Sequence, residues 1–156
     1  MAVHNVAWNA TSSGVGSIEG IEAALQWLTG GGAEITREKV KSYHGARMTL
    51  FRAQIKQKKA AKQSICHLGP DLLTELSLSP DLGKRIDDGN VLHIRLSISS
   101  LVCGSIELSS GSEEQVKGRI KLEVYPGQDS IQNAREMLSA AALKAEVEGL
   151  PVEFDA

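Results

Sequence analysis

The stretch "EITREKVKSYHGARMTLFRAQIK", Glu34 to Lys56, decides the fold. Its periodicity is two, and it is interrupted once, at the short turn Tyr43-His44-Gly45-Ala46. Glu34–Ser42 and Arg47–Lys56 are therefore expected to be two strands of a hairpin. In the second strand Thr49, Phe51, Ala53 and Ile55 share one face, and Met48, Leu50, Arg52, Gln54 and Lys56 share the other. Arg37, Lys39 and Lys41 share a face of the first, because successive side chains alternate across a strand.

On the N-terminal side, "VHNVAW" (Val3–Trp8) is expected as a strand with Val3, Asn5 and Ala7 on one face and His4, Val6 and Trp8 on the other. The loop "TSSGVGS" follows. It lacks both the third glycine and the Lys-Ser/Thr pair that phosphate-cradling loops require, so it is expected only to connect. In "SIEGIEAALQWL", Ile18, Ile21, Leu25 and Leu28 recur at helical spacing behind Ser17 as N-cap, and "TGGG" stops the helix. On the C-terminal side a helix is expected over Gln57–Leu68, with Ala61, Ile65 and Leu68 as its apolar stripe and Lys58, Lys59 and Lys62 on its wet side. A short helix, Asp71–Leu76, precedes the turn "DDGN" and a strand over Asn90–Ser97. "SLVCGSIEL" is expected to lead into a further strand, and "VKGRIKLEVYP" to form the last. Ser130–Glu148 is a long helix with Asp129 as N-cap and Gln132 nearly completing a capping box. Ile131, Leu138, Ala141 and Ala145 are expected on its buried side, and Gly149 with Pro151 at its end.

This order makes an α+β fold: a two-layer structure with a mixed, mainly antiparallel sheet and helices packed on one face. Residues 1–149 are expected as a single domain and residues 150–156 as a short acidic C-terminal tail. The sheet's other face is then solvated, buried in a dimer or covered by a ligand.

Several functional classes find no support. No run approaches the eighteen or so apolar residues of a membrane helix, and the N-terminus has no signal-peptide pattern, so a cytoplasmic protein is expected. Cys66 and Cys103 are too few and too far apart for a disulfide framework. Cys66 adjoins His67, but among His4, His44, His67 and His93 no second pair has zinc-site spacing. No Ser-His-Asp or Cys-His set suggests nucleophilic catalysis, and Asp87 and Asp88 are accounted for by their turn. No catalytic residue, metal or cofactor is expected.

Charge is the feature that points somewhere. The formal net charge is −2, from 17 basic and 19 acidic residues. Nine of the basic residues fall between Ile35 and His67, with Glu38 as the only carboxylate there, so this segment is strongly positive and the rest negative. Neighbours in sequence tend to be neighbours in space, so the two strands and the following helix are expected to form one basic patch. Such a patch attracts phosphate through counterion release. There are only six aromatics, Trp8, Trp27, Tyr43, Phe51, Tyr125 and Phe154. Base stacking is accordingly expected to contribute little, with Tyr43, beside His44 and Arg47 in the hairpin turn, as the exception.

The runs "KSYHGARMTLFRAQIKQKKAAKQSI", "RIDDGNVLHIRLSISSLVCGSIEL" and "GRIKLEVYPGQDSIQNAREML" together resemble the archaeal family of predicted RNA-binding proteins and predicted exosome subunits. The ordered set of a His-Gly turn, a basic strand and helix, an Asp-Gly-Asn turn and a strand ending in Tyr-Pro carries the resemblance. It implies a fold like that of large-subunit ribosomal protein five, a homodimer, a cytoplasmic location and no catalysis. Two places depart from the family pattern: the glycine-rich loop Ser12–Ser17, and Ala46-Arg47 after the His-Gly turn.

The expectation is therefore a non-catalytic RNA-binding protein, associated with RNA-processing proteins such as the archaeal exosome. Its phosphate contacts would be Arg37, Lys39, Lys41, Arg47, Arg52, Lys56, Lys58, Lys59 and Lys62, with Tyr43 and His44 touching a base or ribose. The alternative is a homodimeric interaction module whose basic patch docks an acidic partner.

Overall fold

Alternation along five strands gives the sheet two unlike faces, one greasy and one polar. The computed structural model describes residues 3–13, 18–41, 47–111 and 114–154; the side chains of Ser13 and Arg47 are outside that description. In chain order the elements are β1 (Val3–Ser13), α1 (Ile18–Leu28), β2 (Glu34–Lys41), β3 (Arg47–Ile55), α2 (Lys58–Ile65), α3 (Pro70–Leu78), β4 (Val91–Ser97), α4 (Ile98–Val102), β5 (Gln115–Leu122) and α5 (Ser130–Glu148). The strands lie in the order β2-β3-β1-β5-β4, and every neighbouring pair is antiparallel. The expected two-layer α+β fold is the one observed.

The greasy face carries Val6, Trp8 and Ala10 of β1, Phe51, Ala53 and Ile55 of β3, Ile120 of β5, and Leu92, Ile94 and Leu96 of β4, all buried. Against it pack Leu25 and Leu28 of α1, Ile65 of α2, Leu73 and Leu76 of α3 and Leu138 of α5 in one core. Each of these large side chains contributes on the order of 1.5–3 kcal/mol by leaving water. The fit is specific around Trp8. It stands directly opposite Gly118 on β5 and Ala53 on β3, two small residues that leave room for the indole.

Several local expectations need correction. Val3 is buried beside Val6, not on the face of Asn5 and Ala7, because a register shift between Val3 and Asn5 turns the strand over. β1 also continues past Trp8 to Ser13, since its pairing with β3 runs on through Ala10 opposite Phe51 and Ser12 opposite Thr49. "SLVCGSIEL" does not make a further strand. The Ser97 side chain accepts a hydrogen bond from the Ser100 N–H and starts α4, and the returning segment pairs with β4 only at Leu108, opposite Leu96. The helix after β3 ends at Ile65, and Cys66–Leu68 tighten into a 3-10 turn. In α5 Asp129 caps as expected, but Gln132 donates to Glu136, and Ile131 is partly exposed at 36%. The expected cap Ser17 and the turn residues Tyr43 to Ala46 lie outside the described residues.

Beyond α5 the chain comes back to α1. Trp27 donates its indole N–H to the Val152 carbonyl at 2.8 Å, and its ring packs on Phe154 with centroids 4.9 Å apart. No helix among the described residues is long and apolar enough to cross a membrane.

Candidate functional site

The polar face of the sheet is where the charge gathers. Alternation that buries Gly118 and Ile120 turns Lys117, Arg119 and Lys121 of β5 outward. On β4 the same rule turns out His93 and Arg95, which stand directly opposite Arg119 and Lys117. On β3 it turns out Arg52, opposite Asn9 of the central strand. One row thus crosses the whole sheet: Arg95, Lys117, Asn9, Arg52 and Thr36. Neighbouring positions in such a row are about 4.8 Å apart, the strand spacing. Between the cations of β5 and Arg52 runs a neutral stripe on β1, Asn5, Ala7, Asn9 and Thr11.

Arg52, Arg95, Lys117 and Arg119 are exposed, and none has a carboxylate within ion-pair distance among the described residues. Lys121 donates to the Gly89 carbonyl. Asn9, Thr11, Thr36, Glu38, Leu50, Arg52, Gln115 and Lys117 line a shallow hollow of about 500 Å³. Glu34 and Glu38 on the edge strand β2 bound the cationic area on the far side of Arg52.

One corner is held rigidly. Asp87 accepts from the Gly89 and Val91 N–H groups at 2.8 and 3.1 Å, and its other oxygen is 2.8 Å from His93 Nε2. The His93 hydrogen bond, helped by the two backbone donors, holds the Asp87 carboxyl below the usual range. Near the end of β5, Glu123 is likewise held low, first by the Tyr125 hydroxyl and then by Lys58, which sits 3.6 Å away.

The residues expected from the linear basic segment do not form one patch. Arg37, Lys39 and Lys41 stand opposite Phe51, Thr49 and Arg47, so they share the helix side of the sheet, and Arg37 is paired with Glu22 of α1. Lys39 and Lys41 lie on an edge strand, where charge keeps unpaired backbone from recruiting other strands. Arg52 alone faces the opposite way. Lys56 is exposed just past β3, and Lys58 is paired with Glu123. Lys59 and Lys62 flank a groove between α2 and α5, joined there by Lys144. Tyr43 and His44 lie outside the described residues, as does the Arg47 side chain. Missed altogether were Arg95, Lys117, Arg119 and Lys121. Their signal was present as the every-second-residue cations of "VKGRIKLE" and the outward Arg of "LHIRLS", but a count along the chain does not see strands that pair from afar.

No group of three or more His, Cys, Asp or Glu among the described residues is arranged to hold a metal ion. No aromatic side chain of the described strands points to the polar face: Trp8 and Phe51 are both buried beneath it.

A family model described as RNA binding matches residues 16–124. No curated protein matches the chain. Among solved structures, Mth689, a DUF54 protein from Methanothermobacter thermautotrophicus, is similar with a TM-score of 0.72 at 24% identity, over 88% of this chain and 99% of its own. AF2318 from Archaeglobus fulgidus follows at 0.67 and 23%, over 86% and 99%, and SSO0741 from Sulfolobus solfataricus at 0.65 and 10%, over 87% and 98%. At these identities the likeness is one of fold.

Proposed function

The chain belongs to the RNA-binding family, and on that premise we propose that the polar face of its sheet is a platform for the phosphate backbone of RNA. The carrying observation is the concentration of Arg52, Arg95, Lys117 and Arg119 on a solvated face with no carboxylate partners among the described residues. Like charges directly opposite each other, as Arg95 and Lys117 are, destabilise a sheet by some tenths of a kcal/mol up to about 1. A bound polyanion removes that repulsion and releases its own counterions in exchange. The protein is a binder in this reading, with no chemical step assigned to it.

The cations come from three strands that are distant in sequence, β3, β4 and β5, of which β4 and β5 are neighbours and β3 lies across β1. Charge reversal at Lys117 and Arg119 is therefore expected to abolish binding of a labelled RNA in fluorescence anisotropy. Reversal of Lys59 and Lys62, on the helix layer, is expected to leave it nearly unchanged. The opposite pattern would move the site to the groove between α2 and α5.

That groove supports a second reading, a dock for an acidic protein such as an RNA-processing partner. Lys59, Lys62 and Lys144 converge there around Gln63, with Cys66 and Met137 nearby. Loss of a co-purifying acidic protein in the Lys59/Lys62 reversal, with RNA binding intact, would assign the two surfaces separately.

A further inference from the structure

We infer that the RNA taken by this face is double-helical, and that the central strand distinguishes it from DNA by contacting ribose 2′-hydroxyls. This rests on the RNA-platform reading above and narrows it to a class of ligand.

Three observations carry it. First, a face that reads single strands displays aromatic side chains for bases to stack on, and here Trp8 and Phe51 point into the core instead. Second, the cations flank a neutral stripe. Lys117 and Arg119 on β5 and Arg52 on β3 stand on either side of β1, two strand spacings or about 10 Å apart. Third, three of the stripe's four residues are polar, and these Asn5, Asn9 and Thr11 side chains have no hydrogen-bond partner among the described residues. These amides and the hydroxyl are donors and acceptors standing between Lys117 and Arg119 on one side and Arg52 on the other.

An A-form RNA helix presents a complementary surface. Its minor groove is wide and shallow, lined by 2′-hydroxyls and bordered by the two phosphate backbones. The open strand surface meets such a groove with side chains alone, without inserting an element. The minor groove of B-DNA is only about 6 Å wide and about 7.5 Å deep, so the same surface spans its rims and the stripe on β1 reaches nothing. Phosphate contacts would then supply most of the affinity, and Asn9 and Thr11 most of the preference for ribose.

The test is competition against a fluorescein-labelled RNA hairpin stem at fixed salt, using unlabelled duplex RNA, duplex DNA and single-stranded RNA of one sequence. Duplex RNA is expected to compete on the order of tenfold better than duplex DNA, equivalent to about two lost hydrogen bonds. Asn9→Val and the isosteric Thr11→Val, made separately, are expected to shrink that ratio while leaving affinity for duplex DNA unchanged. Preference for single-stranded RNA, or an RNA-to-DNA ratio that neither variant alters, would overturn the inference and leave the phosphate platform standing. Failure of every nucleic acid to bind would instead overturn the platform itself.

Discussion

Two residues show how much hangs on single side chains. Gly118 is the place where β5 passes Trp8: a Cβ built there would lie 2.3 Å from the indole ring. Glycine is needed for space at this position. Gly118→Ala is expected to destabilise the fold by about 1–3 kcal/mol, the usual penalty for overpacking, measured as a lower denaturation midpoint with an unchanged slope. RNA affinity should fall with it, since Lys117 and Arg119 flank Gly118 on β5. His67 is the second case. Its ring covers Gly30, and its Nδ1 is buried without a hydrogen-bond partner among the described residues. Burial lowers its pKa, so the fold holds the neutral imidazole. The associated stability is fully present above the unfolded value of about 6.5 and is lost as pH falls from there through the lower folded value. His67→Gln is expected to flatten the stability–pH curve across that window. The sequence names both residues without revealing either role, because neither the indole opposite Gly118 nor the glycine beneath His67 is a chain neighbour.

At the scale of elements, local chemistry was easier to read. α5 begins where the sequence says, because Asp129 accepts from the Ile131 N–H at 3.0 Å, and it ends where Gly149 adopts φ +67°. Asp129→Ala is expected to remove about 1 kcal/mol, within the 0.5–2 range for such caps, measured by thermal or chemical denaturation. The antiparallel pair of β2 and β3 was legible for the same reason, as the alternation of both strands lies within one short window. The segment after β4 was misread because its fate depends on contacts at both ends. Ser97 opens α4, and Leu108 then covers the edge of β4 with a single bridge. Ile86 covers the same edge near its other end, opposite Leu92. Apolar alternation resembles a strand whether it extends a sheet or only caps its border.

At the scale of the molecule, two cationic surfaces lie on opposite layers, and salt tells how the one on the sheet works. If about four phosphates are neutralised there, the logarithm of the RNA association constant should fall with log salt at a slope near −3.6 on a duplex, from −0.9 per phosphate. Titrations at several salt concentrations check this, and Arg119→Ala should reduce the slope by about one phosphate. A slope near zero would remove the electrostatic account. What the sequence determined by itself was the mainly antiparallel α+β class, the pair of strands β2 and β3, and both ends of α5, all set by periodicity and capping within a few residues. It also determined that cations occur in excess over one segment. The tertiary structure decided which of them share a surface. The order β2-β3-β1-β5-β4 sends Arg37, Lys39 and Lys41 to one side of the sheet and Arg52 to the other, then sets Arg52 in a row with Arg95 and Lys117. Alternation fixes which residues share a face of one strand, but only long-range pairing, driven by burial of the common apolar face, fixes which strands share a sheet and hence which charges share a surface.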